Sequence, residues 1–294
     1  MSVIRDTYSK KLITPLKWIP DNLIYEVQSG SESYGCSLND NGSDIDIIGI
    51  TMNPINDFFP HLTGHINGFS KPYVSFTTWQ HHHLFDDVQE YDITVHGLSN
   101  WFTLLTDKAS PNMIEILFSP LHMVRCNTQI AQHIRSQRHL FLSKKLKHTF
   151  IGYAYSQLHK IEKKDTEGKR KHLIEKYGWN VKYGMHLLRL FYQCEQLLSE
   201  HTLDLTRHSE VLKSVRNGEW SEQKLKEFIS IKEPYIEQLY QKSTLPHEVD
   251  ISLIQNLLFE CIEMHYGSVS KYNVSNPNKS DIIISQIKNL LSTV

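Results

Sequence analysis

The sequence predicts an α/β head built on a small mixed sheet, followed by an all-helical part. Three observations carry this expectation. β-rich apolar runs separated by turn residues occupy the first third, at residues 23–27, 45–50 and 91–95. From about Ser143 onward the apolar residues recur at helical spacing instead. The texture changes once, near residues 126–140, which divides the chain into expected domains 1–125 and 126–294.

In the head, Leu23-Ile24-Tyr25-Glu26-Val27 ends at Gln28-Ser29-Gly30-Ser31, a break with turn chemistry. A polar stretch with Asn39, Asp40, Asn41 and Gly42 leads to Ile45-Asp46-Ile47-Ile48-Gly49-Ile50, read as a neighbouring strand. Residues 53–80 are rich in proline, glycine and aromatics and read as irregular chain with room for one more strand. In the strand at 91–95 the two-residue period puts Asp92 and Thr94 on one face. Ser110-Pro111 looks like an N-cap followed by proline at the first helical position, opening a short helix that Pro120 ends.

In the second half, Leu142, Leu146, Phe150, Tyr153 and Leu158 form one helical face, and Val181, Met185, Leu188, Phe191 and Leu198 another. Ser221 caps a third helix and residues 251–264 form a fourth. A polar segment at 268–278 then leads to a short final helix. There is no internal repeat.

The bulk numbers exclude several classes. With 294 residues, 40% hydrophobic and 21% charged, the chain is long and apolar enough for a substantial core. Its 31 basic and 32 acidic residues leave a formal charge of -1, so no global field announces a nucleic-acid binder. Cysteines at 36, 126, 194 and 261 stand too far apart for a CxxC pair and read as free thiols of a reducing compartment. The N-terminus lacks the apolar core of a signal peptide, and no apolar run is long enough to span a bilayer, so a cytoplasmic protein is expected.

The chemistry concentrates in Gly30-Ser31, then twelve intervening residues, then Asp44-Ile45-Asp46. Carboxylates at i and i+2 of a strand share a face, and two like charges held together are costly without a cation. Mg²⁺ resolves that repulsion, taking hard oxygen ligands from carboxylates and from substrate phosphates. Gly30 lets the backbone approach a phosphate, and Ser31 donates hydrogen bonds to it. Asp92 on a nearby strand supplies the third acid of a two-metal site, as ligand or general base. Taken alone, an Asp-x-Asp near a Gly-Ser is more often turn chemistry. Its setting between two strands, with a spaced third acid behind it, favours the site.

Ser29-Gly30-Ser31-Glu32-Ser33-Tyr34-Gly35, with Gly42-Ser43-Asp44-Ile45-Asp46-Ile47-Ile48-Gly49, resembles the signature of the DNA polymerase β-type nucleotidyltransferases. More narrowly it is similar to a bacterial and phage family associated with RNA repair. Further similar blocks follow in order: Asp92-Ile93, residues 110–117, residues 150–154, residues 182–190 and residues 215–219. Together they cover roughly residues 25–220. The sequence departs from the family in carrying Thr94-Val95-His96 after the third acid, where relatives often have a basic residue a little further on.

The resemblance implies an enzyme that moves a nucleoside monophosphate from an NTP to an acceptor hydroxyl. Asp44, Asp46 and Asp92 would be catalytic and would hold two Mg²⁺ ions, or Mn²⁺ in their place. Gly30, Ser31, Ser43, Lys182, His186 and Arg189 would bind nucleotide, and the implied acceptor is an RNA (tRNA) 3′ end. The alternatives are a protein- or small-molecule-modifying transferase and a non-catalytic nucleotide-binding module. No membrane partner is implied.

Several residues admit two readings. Lys182, His186 and Arg189 fall at i, i+4 and i+7, so they form either a clamp for the triphosphate or a solvated polar stripe. Glu115 either orients Arg189 or is a capping or surface acid. Lys163, Lys164, Lys169, Arg170 and Lys171 either attract a nucleic-acid backbone or, diluted by acids, form an exposed loop, which is the favoured reading. His81-His82-His83 is read as surface or loop rather than a metal site, since three consecutive side chains cannot face one ion. Tyr34, Trp79 and Trp179 either stack a base or belong to the core.

Overall fold

The computed structural model of this protein describes residues 1–37, 44–66, 68–69, 73–163, 171–272 and 291. The chain enters through α1 (Val3–Ser9), capped by the Ser2 hydroxyl, which accepts from the Arg5 N–H at 3.2 Å, and through the single turn α2 (Trp18–Asp21). Then come β1 (Leu23–Gln28), β2 (Ile45–Thr51), the turn α3 (Ile55–Phe58), β3 (Thr78–Phe85) and β4 (Glu90–Gly97). Two short helices, α4 (Leu98–Thr106) and α5 (Pro111–Phe118), lead to β5 (Val124–Asn127) and α6 (Gln129–Ser136). Among the described residues the helices that follow are α7 (Lys145–Glu162), α8 (Lys171–Tyr177), α9 (Val181–Glu200), α10 (Ser209–Arg216), α11 (Glu222–Lys242) and α12 (Ile251–Tyr266).

The five strands form one sheet in the order β3-β4-β2-β1-β5. Only the β2–β4 pair is parallel, so the sheet is mixed, as the sequence predicts. Register divides its two faces. Ile47, Ile93 and Val95 point to one side and pack with Ile4 of α1, Ile13 and Ile19. The opposite side, carrying Asp46, Ile48, Asp92, Thr94 and His96, faces the helices. Every residue of β1 is buried, which explains a strand with no polar alternation.

The principal core is continuous from the sheet to the last helices, running from Ile24 and Ile50 through Trp101, Phe150 and Phe191 to Cys261. β5 pairs with β1 and extends to Asn127, so the sheet runs past residue 125. The helices predicted from periodicity correspond to α7, α9, α11 and α12. Val181, Met185, Leu188, Phe191 and Leu198 are all buried on α9, and Ser221 caps α11 by accepting from the Lys224 N–H at 3.1 Å.

Two expectations change. The histidine triplet lies in strand β3, not in a loop, although its side chains are largely exposed. Short helices α1, α4, α6, α8 and α10 appear where the sequence reading had none. The polar link at 268–278 is described only to residue 272, and the expected final helix falls outside the described residues apart from Leu291. Among the described residues no helix is long and apolar enough to cross a membrane.

Candidate active site

A cavity of about 360 Å³ opens between the helix-facing side of the sheet and helices α5, α7 and α9. Its sheet wall includes Asp46 and Ile48 of β2 and Asp92, Thr94 and His96 of β4. Its helix wall includes Glu115, Tyr153, His186 and Arg189. The two carboxylates meet because β2 and β4 run parallel with Asp46 directly opposite Asp92. Neighbouring strands lie about 4.8 Å apart, and register partners present their side chains on the same face.

The electrostatics record this crowding. The Asp46 carboxyl is pushed up to about 6, first by burial and then by the negative charges of Asp44 and Asp92; Lys182 and His82 pull it back. Asp92 accepts a hydrogen bond from the backbone N–H of His83 at 2.8 Å, and its Oδ1 lies 3.6 Å from Nδ1 of His82. That backbone contact exists because the β3–β4 register slips between His81 and Leu84, leaving His83 at φ 56°.

Gly30 begins a short 3₁₀ turn, Gly30–Glu32, at the end of β1 with φ +80°. A Cβ built there would collide with Oδ2 of Asp46, so only glycine lets the loop lie against that carboxylate. The Ser29 N–H donates to the Asp46 carbonyl at 2.8 Å, and the Cys36 N–H closes the loop onto the Ser31 carbonyl at 3.0 Å.

The residues expected at the site are brought together in part. Asp46 and Asp92 line the cavity, with Gly30 beside them. Asp44 is exposed, just before β2, and its charge reaches Asp46 although it is not part of the cavity wall. Ser43 lies outside the described residues. Ser31 stays in the loop. Lys182, in the first turn of α9, is close enough for its charge to act on Asp46, and His186 lines the cavity one turn further on.

Arg189 lines the cavity but is not part of a solvated stripe. It is buried (3% exposed) and ion-paired with Glu115 at 2.8 Å. Its guanidinium covers the Tyr34 ring at 4.3 Å, while the Tyr34 hydroxyl donates to Glu115 Oε2 at 2.5 Å. A charge buried and paired this way is not a solvated stripe. Glu115 thus holds Arg189, the supporting role weighed for it. Burial pushes the Glu115 carboxyl up, and Arg189 and Tyr34 pull it back. The three side chains tie the Gly30 loop to α5 and α9.

Tyr34 is covered by Arg189, Trp179 is core against Gly184, and Trp79 packs at the outer face of the sheet. The basic run at 164–170 lies outside the described residues. The sequence reading missed His82, His96, Asn112 and Tyr153. The two-residue period that links Asp92 to Thr94 also reaches His96, so that signal was present. The position of His82 depends on the slipped register of β3, which no local pattern announces.

The donor set suits a hard divalent cation: closely set carboxylate oxygens, one of whose carboxyls is pushed up to about 6 by burial and then by its acidic neighbours. As the side chains stand, no three histidine, cysteine or acidic residues among those described converge as ligands. Asp46 and Asp92 form the pair, with Asp44 at the rim.

A nucleotidyltransferase-like protein from Exiguobacterium sibiricum is similar at 13% sequence identity and a TM-score of 0.28, over 89% of this chain and 79% of that one. No curated protein matches the sequence. The model of the RNA repair pathway DNA polymerase beta family matches residues 4–252. The chain belongs to that family of polymerase β-type nucleotidyltransferases.

Proposed function

We propose that this protein transfers a nucleoside monophosphate from an NTP to a hydroxyl of RNA, releasing pyrophosphate. The observation that carries the reading is the pairing of Asp46 with Asp92 in register over a cavity of nucleotide size. RNA, with its 3′ end as the attacking group, is the acceptor that fits the family's description as part of an RNA repair pathway.

Asp46 and Asp92, joined by Asp44, are the residues to hold two Mg²⁺ or Mn²⁺ ions. Metal held there would supply two things: a lowered pKa for the attacking hydroxyl and positive charge against the leaving pyrophosphate. The oxygen of that hydroxyl forms the new bond to the α-phosphorus, and the bond from that phosphorus to the β-phosphate oxygen breaks. Asp92 takes the hydroxyl proton. The Gly30–Ser31 backbone and Ser31 hydroxyl cradle phosphate oxygens, and Lys182 adds positive charge nearby. Arg189 works indirectly, holding Tyr34 and through it the Gly30 loop. ATP is the first nucleotide to test, and the compartment proposed is the cytoplasm.

Incubation with each α-labelled NTP, Mg²⁺ and total RNA tests this. Label entering RNA, and lost in Asp46→Asn, supports the reading. Label entering protein or a small molecule assigns another acceptor. Pyrophosphate release from no NTP would reduce the chain to a binding module.

A further inference from the structure

His96 lies on β4 four residues beyond Asp92, on the same face, about 13 Å along the strand at roughly 3.3 Å per residue. It lines the end of the cavity remote from the carboxylates, a separation that a nucleoside bridges. Among the described residues its ring is held from the Nδ1 side. Asn100 on α4 sets one side-chain atom 3.3 Å from the Thr77 carbonyl and 3.3 Å from His96 Nδ1. A carbonyl only accepts, so that atom is the amide nitrogen; it also lies 3.2 Å from the Thr78 hydroxyl, and its two hydrogens serve the Thr77 carbonyl and either Nδ1 or that hydroxyl, which then turns its own hydrogen to Nδ1. The Thr78 hydroxyl, 3.1 Å away, also faces Nδ1. With Nδ1 accepting, the ring proton sits on Nε2. Burial lowers the pKa of His96 and keeps the ring neutral.

We propose that His96 is a specificity-determining residue whose Nε2–H donates to an acceptor atom on the base of the incoming NTP. The inference rests on the nucleotide-transfer reading of the cavity and adds a base-recognising end to it. Asn100 and Thr78 are positioning residues: they choose the tautomer and leave one donor for the ligand. A neutral donor reads a base without attracting phosphate, so the recognition separates from the cationic and metal-binding end.

The test compares two ligands by calorimetry in Mg²⁺: ATP, GTP, CTP and UTP on one side, inorganic tripolyphosphate on the other. His96→Phe fills the ring volume but has no donor. It should weaken the best-bound NTP about five- to tenfold, the loss of one neutral hydrogen bond, and leave tripolyphosphate affinity unchanged. His96→Gln, which keeps an N–H at similar reach, should recover most of the difference. If His96→Phe does not fold, His96→Leu reads the same comparison. Equal weakening of both ligands would make His96 merely structural, and no weakening of either would remove it from the site. If the unmodified protein bound no NTP at all, the nucleotide-transfer reading itself would fall.

Discussion

Asp46 and Asp92 are register partners on parallel strands, 46 residues apart in sequence and adjacent in the sheet. The polypeptide leaves β2, forms α3, turns back through β3 and returns beside β2 in the same direction, which delivers the second carboxylate alongside the first. The crowding costs stability in the empty protein and becomes useful when a cation enters. Asp46→Asn and Asp92→Asn are each expected to lower the rate of nucleotide transfer by about 10²- to 10³-fold, the scale of removing one electrostatic stabiliser of a transition state. Steady-state kinetics with melting curves checks this, because neither variant should melt lower than the parent without metal.

The raised pKa of Asp46 gives a pH signature with a definite sign. A carboxyl whose folded value is about 6 against an unfolded 3.8 favours the folded state at low pH. Its contribution is present below about 4 and is lost as pH rises through 6. Metal-free protein should therefore lose stability between pH 4 and 6.5 from this group, and Asp46→Asn should flatten that part of the profile. Mg²⁺ should raise the melting temperature more at pH 7.5 than at pH 5.5. Calorimetric melts across pH, with and without Mg²⁺, read both effects.

Two glycine substitutions should act in opposite directions. Gly30→Ala puts a methyl group into the Asp46 carboxylate and strains a backbone at φ +80°, costing roughly 1–3 kcal/mol, with at least a tenfold loss of transfer rate expected as the carboxylate shifts. Gly152→Ala, in the middle of α7 with open space around the new methyl, should stabilise by about 0.5–1 kcal/mol and leave the reaction unchanged. Denaturant titration of both variants decides.

The Glu115–Arg189 pair should behave as one unit. Arg189→Met leaves a buried carboxylate without its cation, and Glu115→Gln leaves a buried cation without its anion; each should cost about 3–5 kcal/mol. The double variant should cost clearly less than the sum, because no charge is then stranded. If Arg189 bound phosphate directly, the double variant would still lose nucleotide affinity in proportion to the lost cation. A double-mutant cycle with NTP titration separates the two roles.

Much of this was legible in the chain itself. β2 shows as a β-branched run interrupted by one acid, and the two-residue period of β4 already set Asp92 and Thr94 together. Arg189 was not legible, because an i, i+4, i+7 spacing looks the same on a wet face and a dry one. Its partner Glu115 lies 74 residues away, and only the packing of α5 against α9 brings them together. The missed helices run to nine residues at most, too short to hold on propensity alone; tertiary burial of residues such as Ile4, Trp101 and Leu212 sustains them. His82 sits at the cavity because β3 slips its register, an event encoded across two strands.

The most direct measurement is a crystal of the protein soaked with Mn²⁺ and a non-hydrolysable NTP, read by anomalous scattering. The account predicts two peaks about 3.5–4 Å apart, both within coordination distance of the Asp46 and Asp92 carboxylates, with the triphosphate along the Gly30–Ser31 loop. Manganese bound elsewhere, or a triphosphate seated on Arg189 with the aspartates untouched, would contradict it.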